Sequence, residues 1–405
     1  MITVNEALKK ILMNVDDLNH ETVNLNRSLG RVASHDIKSN LNLPQNNLSS
    51  MDGYAIKYKD AIIINNHPAS IVGESSAGKP FEGNLGKSEC IKISTGAVLP
   101  INVDCIILKE KAIIKDSKIV LCNQKLRKNE YIRLKGLNIK TGDIIIKKNT
   151  KITTRDIGIT ASTNQSSIKA YKKPIISILS TGNELGTVGQ KLNRSQIISS
   201  NSFMLQSLIN SLGGKCNDLG IARDDKNSLK NKILKSKGSD ILLTTGGISI
   251  GDHDLVKSTL IDLGLKVVFW KIAMRPGKPI LYGKLNKMSV LCFPGNPVST
   301  FVSSIIYLIP LINKLQNISY KTPIKEAITS KDIEKNDERE DYIRAKLSFL
   351  KNNEIIAEPF AKQDSSMTNI LANSQGLIIR KRFANAIKAG SKVLVIPFVH
   401  INQSL

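Results

Sequence analysis

The stretch Asp240-Ile-Leu-Leu-Thr-Thr-Gly-Gly-Ile-Ser-Ile-Gly-Asp-His-Asp254 constrains the fold more than any other, because a short apolar run feeds a glycine-rich turn that closes on two aspartates. Residues 240–244 predict a buried strand, and the apolar spacing from Asp252 to Gly264 predicts a helix. Between them, Gly246 and Gly247 allow positive φ and close backbone approach. N–H groups turned inward at a helix start hold phosphates or other oxyanions, and carboxylates two residues apart can hold a divalent cation beside them. The stretch carries neither Gly-Lys-Ser/Thr nor GxGxxG spacing, which excludes a P-loop and a dinucleotide fingerprint.

Around this stretch, residues 173–320 alternate apolar strands (Ile175–Leu179, Ile241–Leu243, Val267–Phe269, Val290–Phe293) with helical spacing, which predicts a doubly wound α/β sheet. Ligands of open α/β sheets gather at the carboxyl ends of the strands. Those ends carry Ser180-Thr181-Gly182-Asn183-Glu184, Thr245–Asp254, Lys271-Ile-Ala-Met-Arg275-Pro276-Gly277-Lys278-Pro279 and Pro294-Gly295-Asn296-Pro297-Val298-Ser299. Asn296 is placed as a helix N-cap and Pro297 as the first helical residue. Hydroxyls, N–H groups, carboxylates and cations at four successive strand ends point to one polar ligand site.

The rest of the 405 residues divides by texture into a multidomain α/β plus β chain. Residues 1–46 begin with an amphipathic helix over residues 1–15 that does not read as a signal sequence, and residues 135–172 change texture again, with Gly136, Gly142 and Gly158 punctuating a strand and a short helix. Residues 47–134 alternate short apolar runs (Ile62–Ile64, Cys90–Ile93, Cys105–Leu108, Ile119–Cys122) with Gly and Pro turns, predicting an inserted all-β module. Residues 321–405 return to strands, predicting a C-terminal β domain. The longest apolar run, Val298–Ile312, holds serines and Pro310 and is expected to be too short to span a bilayer.

Five cysteines without a CxxC pair argue against a disulfide frame or zinc site and for buried thiols in a reducing cytoplasm. The net charge of +24 raises nucleic-acid binding, but the lysines are scattered and 4% aromatic content offers little for base stacking. Abundant Lys, Asn and Ile together match an AT-rich genome, and a positive field also speeds capture of anionic substrates.

Six segments in order carry a family resemblance: Ser50-Met51-Asp52-Gly53-Tyr54-Ala55, Ser94-Thr95-Gly96-Ala97, Thr181–Leu185, Thr245–Asp252, Arg275–Pro279 and Pro294–Ser299. The ordered set resembles the molybdopterin molybdenumtransferases, the MoeA and gephyrin E-domain family, over nearly the whole chain. The resemblance implies an elongated four-domain homodimer with a C-terminal β-barrel-like domain, inserting molybdate into adenylated molybdopterin with release of AMP. It implies Mg2+ as cofactor, contacts with other molybdenum-cofactor biosynthesis proteins, and no nucleic-acid or membrane partner.

By this resemblance the Thr245–Gly251 turn, with Gly246, Gly247, Ser249 and Gly251, would cradle phosphate next to Thr181. Asp224, Asp254 and Glu184 would bind or orient magnesium and the nucleotide. Lys271, Arg275, Lys278 and Ser249 would answer anionic charge, with Pro294, Pro297 and Ser299 in the pocket wall. Asp52 and Thr95 of the β module, with Arg133 at its border, would complete the cleft of the partner subunit. Plainer readings exist: an Asp52-Gly53 turn, a solvated Arg133, Glu184 as a helix cap, and Asp224 and Asp225 as a loop charge pair. His253 reads as a non-ligand.

Asn183 stands where the family commonly has aspartate, Arg275 replaces a frequent lysine, and Gln363–Met367 lacks a histidine often seen there. A molybdopterin adenylyltransferase, whose related domain has a similar Thr-Gly-Gly turn, would lack the Met51–Ala55 module. A non-catalytic assembly scaffold would show a peptide groove that nothing in the sequence marks.

Overall fold

The computed structural model describes residues 1–248 and 254–398. Helix α1 (Val4–Met13) opens on a reciprocal cap, in which the Glu6 N–H donates to Thr3 Oγ1 at 3.2 Å and the Thr3 N–H donates to Glu6 Oε2 at 2.8 Å. Its buried stripe, Val4, Ala7 and Ile11, shares a core with Ile305, Leu308 and Ile312 of the α/β domain. Burying Ile11 completely is worth about 2 kcal/mol, so the helix is anchored by packing as well as by its cap.

The α/β domain comprises β1 (Ile175–Thr181), α2 (Asn201–Ser211), β2 (Lys215–Ala222), α3 (Lys226–Leu234), β3 (Ile241–Thr245), α4 (Leu255–Asp262), β4 (Lys266–Trp270), β5 (Leu281–Leu285) and β6 (Met288–Phe293). Its sheet order is β2-β1-β3-β6-β5-β4. The first four strands are parallel, β5 runs antiparallel to β6, and β4 antiparallel to β5. Two reversals restore the original direction, so the carboxyl ends of β1, β3, β6 and β4 open on one edge. Strands β2 and β5 join the four expected from apolar runs. The edge strand β2 buries only two of its eight residues, Leu219 and Ala222, and therefore has no such run to read.

Residues Pro297–Leu315 form a helix long and apolar enough to cross a membrane, but 89% of its apolar window is buried inside the protein, so it serves as the core helix of this domain. The expectation that this segment is too short is thereby corrected. Pro310 does not break it, because a π-helical turn over Ser304–Leu308, with the Ile309 N–H donating to Ser304 O, widens the backbone just ahead of the ring.

The β module is a six-stranded sheet of Gly53–Ile56, Ala69–Ser75, Glu89–Ile93, Cys105–Leu108, Ala112–Lys115 and Lys118–Cys122. Its expected run Ile62–Ile64 is a turn after a short helix, Tyr58–Ala61. Only Ile64 of that run is buried. Chain segments on either side of the module pair with each other, His20–Asn24 with Ser167–Tyr171 and Ile37–Lys38 with Ile144–Ile146.

In the C-terminal region Glu340–Phe349, Ile355–Pro359, Lys325–Thr329, Lys392–Pro397 and Gly376–Arg380 close into a five-stranded barrel. The two-residue strand Met274–Arg275, part of the loop after β4, pairs in parallel with Glu340–Asp341 of that barrel. All five cysteines are free thiols, and burial pushes Cys90, Cys105 and Cys292 up to about 12. They are accordingly protonated packing residues.

Candidate active site at the carboxyl edge

Three strand ends meet here at backbone contact. The Gly246 N–H donates to Phe293 O at 3.1 Å, joining the turn after β3 to the end of β6. Gly246 and Gly247 have φ of 84° and 65°. A Cβ on Gly246 would lie 2.4 Å from Thr181 O, and one on Gly247 2.4 Å from Thr181 Oγ1. No side chain fits at either position, which is the physical reason for the Gly-Gly pair. Gly295 closes the third side, its added Cβ only 3.4 Å from Gly246 Cα.

Around this junction, polar atoms are buried without partners. Among the described residues Thr181 Oγ1 has none, and Asn201 donates through Nδ2 to Gly295 O at 2.7 Å while its Oδ1 meets no donor. Buried polar atoms are normally satisfied, so two such atoms at one strand edge mark a place that a ligand or water completes. Ser249 and Gly251, expected in the phosphate turn, lie outside the described residues, as do Asp252 and His253.

The carboxylates take distinct positions. Asp254 is the N-cap of α4, its Oδ1 accepting the Lys257 N–H at 2.9 Å, and it is 8% exposed. Asp224 is exposed and locked to the turn after β1: Asp224 Oδ2 accepts the Asn183 N–H at 3.1 Å, and Asn183 Oδ1 accepts the Asp224 N–H at 3.2 Å. Asn183 thus keeps the acceptor role an aspartate would have, with one negative charge fewer beside Asp224. Glu184 does not cap a helix; its carboxylate folds back over Gly182. Asp225 caps α3 through the Ser228 N–H. Among the described residues no three His, Cys, Asp or Glu side chains form a metal cage.

Of the three expected cations, Lys271 lies 4.0 Å from the centre of the Trp270 ring, and its backbone takes the left-handed φ of 68°. Neither Lys271 nor Lys278 meets a carboxylate among the described residues. Arg275 is already engaged, with Nη2 2.6 Å from Asp341 Oδ2 and Nη1 3.4 Å from Asp337 Oδ2. Its charge is partly compensated, and it fastens the site loop to the barrel.

Pro297 begins its helix as expected, with Pro294 and Ser299 buried beside it. Asn296 occupies the N-cap position without capping; its Nδ2 donates to Ser365 Oγ at 2.7 Å, and the Val298 N–H donates to Ser365 O at 3.2 Å. The tail segment Gln363–Met367 therefore closes over the Pro-Gly-Asn-Pro turn. A pocket between the site loop and the barrel is lined by Arg275, Pro276, Asp341, Arg344 and Gln363. Arg344, 1% exposed, is held by Gln363 Oε1 and meets no carboxylate among the described residues. It went unnoticed in the sequence; the readable signal was an arginine at an inward position of a barrel strand.

Asp52 and Thr95 form the expected pair, the Thr95 N–H and hydroxyl donating to Asp52 Oδ1 at 2.7 and 2.9 Å. These donors hold the Asp52 carboxyl below the usual range. Arg133 is exposed on the two-residue strand Ile132–Arg133, which pairs with Leu48–Ser49. Among the described residues no hydrogen bond joins residues 47–134 to the α/β domain, so the structure brings Asp52 and Thr95 together without uniting them with Asp254.

Comparison with known proteins matches three regions of the chain. Residues 2–163 match the MoeA N-terminal region (domain I and II), residues 177–314 the probable molybdopterin binding domain, and residues 326–398 the MoeA C-terminal region (domain IV). The molybdopterin molybdenumtransferase of Haemophilus influenzae is 30% identical over 405 residues, covering 99% of this chain and 100% of that protein. Gephyrin of Dictyostelium discoideum is also 30% identical, with this chain covering 63% of its length. The crystal structure of the molybdopterin biosynthesis moea protein from Pyrococcus horikosii superposes with a TM-score of 0.88 at 28% identity, covering 98% of this chain and 99% of that one. Similarity that runs from end to end, through all three matched regions and the strand-end turns, settles the family: the chain belongs to the molybdopterin molybdenumtransferases.

Proposed function

We propose that this protein inserts molybdate into adenylated molybdopterin, releasing AMP and forming molybdenum cofactor. The observation that carries the reading is the junction of Thr181, Gly246, Gly247 and Gly295, on the same sheet edge as the loop after β4, whose Lys271 and Lys278 meet no carboxylate among the described residues. Both substrates are anions, and their union is opposed by charge. Backbone donors and fixed cations in a partly dry cleft lower that barrier by compensation and positioning. Thr181, Thr245 and the two glycines hold phosphate, Lys271 and Lys278 answer the oxyanion charge, and Pro294, Pro297 and Ser299 shape the wall.

Mg2+ is bound through one or two carboxylates completed by substrate phosphates, not by a cage of protein ligands. The exposed Asp224 and Glu184, on turns hydrogen-bonded to each other, suit that mode, and Asp254 is the third carboxylate we assign to the ion. Bound there, the ion would neutralise charge on the phosphates. The chain acts as a cytoplasmic homodimer of four domains, 1–46 with 135–172, 47–134, 173–320 and 321–405, with α1 packed onto the third. The Asp52–Thr95 pair, which no hydrogen bond among the described residues joins to its own α/β domain, completes the cleft of a second copy together with Arg133. The chain also contacts other molybdenum-cofactor biosynthesis proteins.

The test supplies purified protein with adenylated molybdopterin, Mg2+ and molybdate and follows AMP release and metal incorporation. AMP release coupled to metal uptake is the expected result. Turnover seen only with ATP and free molybdopterin would replace the reading with an adenylyltransferase. Mixed Asp52→Ala and Asp254→Ala subunits test the shared cleft, since heterodimers recover activity only if the two residues act across copies.

A further inference from the structure

The indole of Trp270, at the carboxyl end of β4, carries two ammonium groups. Lys257 Nζ lies 3.6 Å from the ring centre and Lys271 Nζ 4.0 Å. The two cations therefore stand within the sum of those distances of each other, and neither meets a carboxylate among the described residues.

Three costs accumulate in this cluster. The cations, gathered on one half-buried ring, repel one another. Lys257 sits in the first turn of α4, where the helix dipole disfavours positive charge. Lys271 holds its backbone at φ 68°, outside the range most side chains prefer. The ring adds a fourth, because Trp270 Nε1 is buried without an acceptor among the described residues, a cost a phenylalanine would avoid, whereas indole is the best aromatic platform for a cation. One occupant relieves the first two costs together: a dianion bridging both ammoniums at about 2.8 Å from each.

We propose that Lys257 and Lys271, braced on Trp270, form a two-cation clamp for a tetrahedral oxyanion, making Lys257 a further substrate-binding residue. The clamp rests on the transfer reaction above for the identity of its anion, either molybdate or the phosphate of the nucleotide. Lys257 reaches it from the helix that follows the Gly246-Gly247 turn, and Lys271 from the loop after β4. The clamp thus ties the phosphate turn to the cationic loop across the reversed part of the sheet.

Trp270 is the single tryptophan of the chain, so its fluorescence reports on this cluster directly. The full-length protein is titrated with molybdate, sulfate or AMP at constant ionic strength set with chloride. A saturable change is expected, weakened about tenfold in Lys257→Met and retained within a few-fold in Lys257→Arg. A response to molybdate and sulfate alone assigns the metal oxyanion, and one to AMP alone assigns the nucleotide phosphate. Either supports the clamp. Identical titrations of wild type and Lys257→Met, or the absence of any saturable response, overturn it. Neither result bears on AMP release by the wild-type enzyme, so the clamp and the overall reaction fail separately.

Discussion

At the amino end of the α/β sheet polar groups close on one another, whereas at the carboxyl end some are left open. Asp240 ties the amino end together: its Oδ2 accepts the Ile175 N–H at 2.7 Å, and its backbone O accepts the Ser289 N–H at 2.9 Å. Ser177 and Ser239 pair at 2.8 Å, and Ser236 Oγ donates to Ile233 O at 2.6 Å. The pocket at that end is lined by Ile233, Leu234, Leu263, Leu285 and Met288. At the other end Thr181 Oγ1 and Asn201 Oδ1 lack partners among the described residues, and glycines at positive φ press against Thr181. A hollow with a satisfied rim is a by-product of packing, while open polar atoms beside uncompensated cations are a site awaiting a ligand.

Paired glycine substitutions test this contrast most severely. Gly247→Ala puts a methyl 2.4 Å from both Thr181 Oγ1 and Val256 Cγ2 at φ 65°. It is expected to cost roughly 3 kcal/mol in urea unfolding and to abolish turnover. Gly238→Ala, at φ 91° with nothing within 4 Å, should cost only about 1 kcal/mol and leave activity intact. Equal losses at the two ends would erase the distinction.

Asp254 gives the next largest effect. Asp254→Ala removes an N-cap and should cost about 1 kcal/mol, while Asp254→Asn keeps the cap and removes only the charge. If the carboxylate serves the reaction, turnover falls at least about tenfold in both variants. A fully active Asp254→Asn would reduce this residue to a cap.

A smaller change is expected at Asp52. Its lowered carboxyl pKa means that its contribution to stability is complete above the ordinary carboxylate range and is lost as pH falls through the lowered value. Thr95→Val removes the hydroxyl donor and keeps the N–H, so the Asp52 titration should move part of the way up towards about 3.9. Carboxyl NMR measures it, and an unmoved titration would separate Thr95 from the pair.

The smallest effect belongs to Asp240. Burial raises its carboxyl despite the Ile175 N–H, so its stabilising influence is complete below the ordinary carboxylate range and is lost as pH rises through the raised value. Asp240→Asn preserves the acceptor; stability at pH 7 should change by less than about 1 kcal/mol, with turnover unaffected. Lost activity would extend the functional region to the amino end.

The sequence carried the turns more legibly than their partners. Gly246, Gly247 and Pro297 could be placed because φ and the missing proline N–H are local properties. Strands β2 and β5 were hidden, one because an exposed edge needs no apolar run and the other because sheet direction is decided by long-range pairing. Asn296 had the cap position and spent its side chain on Ser365, 69 residues away in sequence, a choice no window could reveal. Asp254 was read as a ligand for its neighbours in sequence, and its capping bond emerged only with the helix. Arg344 needed the barrel closed before its inward direction meant anything.

The strand Met274–Arg275 belongs to two bodies at once, the loop after β4 and the barrel sheet. The barrel is therefore an abutment for the anion site. It cannot tilt without breaking the ladder of its Glu340 and Asp341 with Met274 and Arg275 or dragging Arg275 along, since the Asp341 pairing doubles the backbone joint with an ion pair. Tyr342 and Ile379, which sit in the core shared by both bodies, set the angle of that joint. Loosening them would reach the chemistry as a misaimed guanidinium, and enlarging the barrel's seat would detune the enzyme from a wall that never touches its substrate.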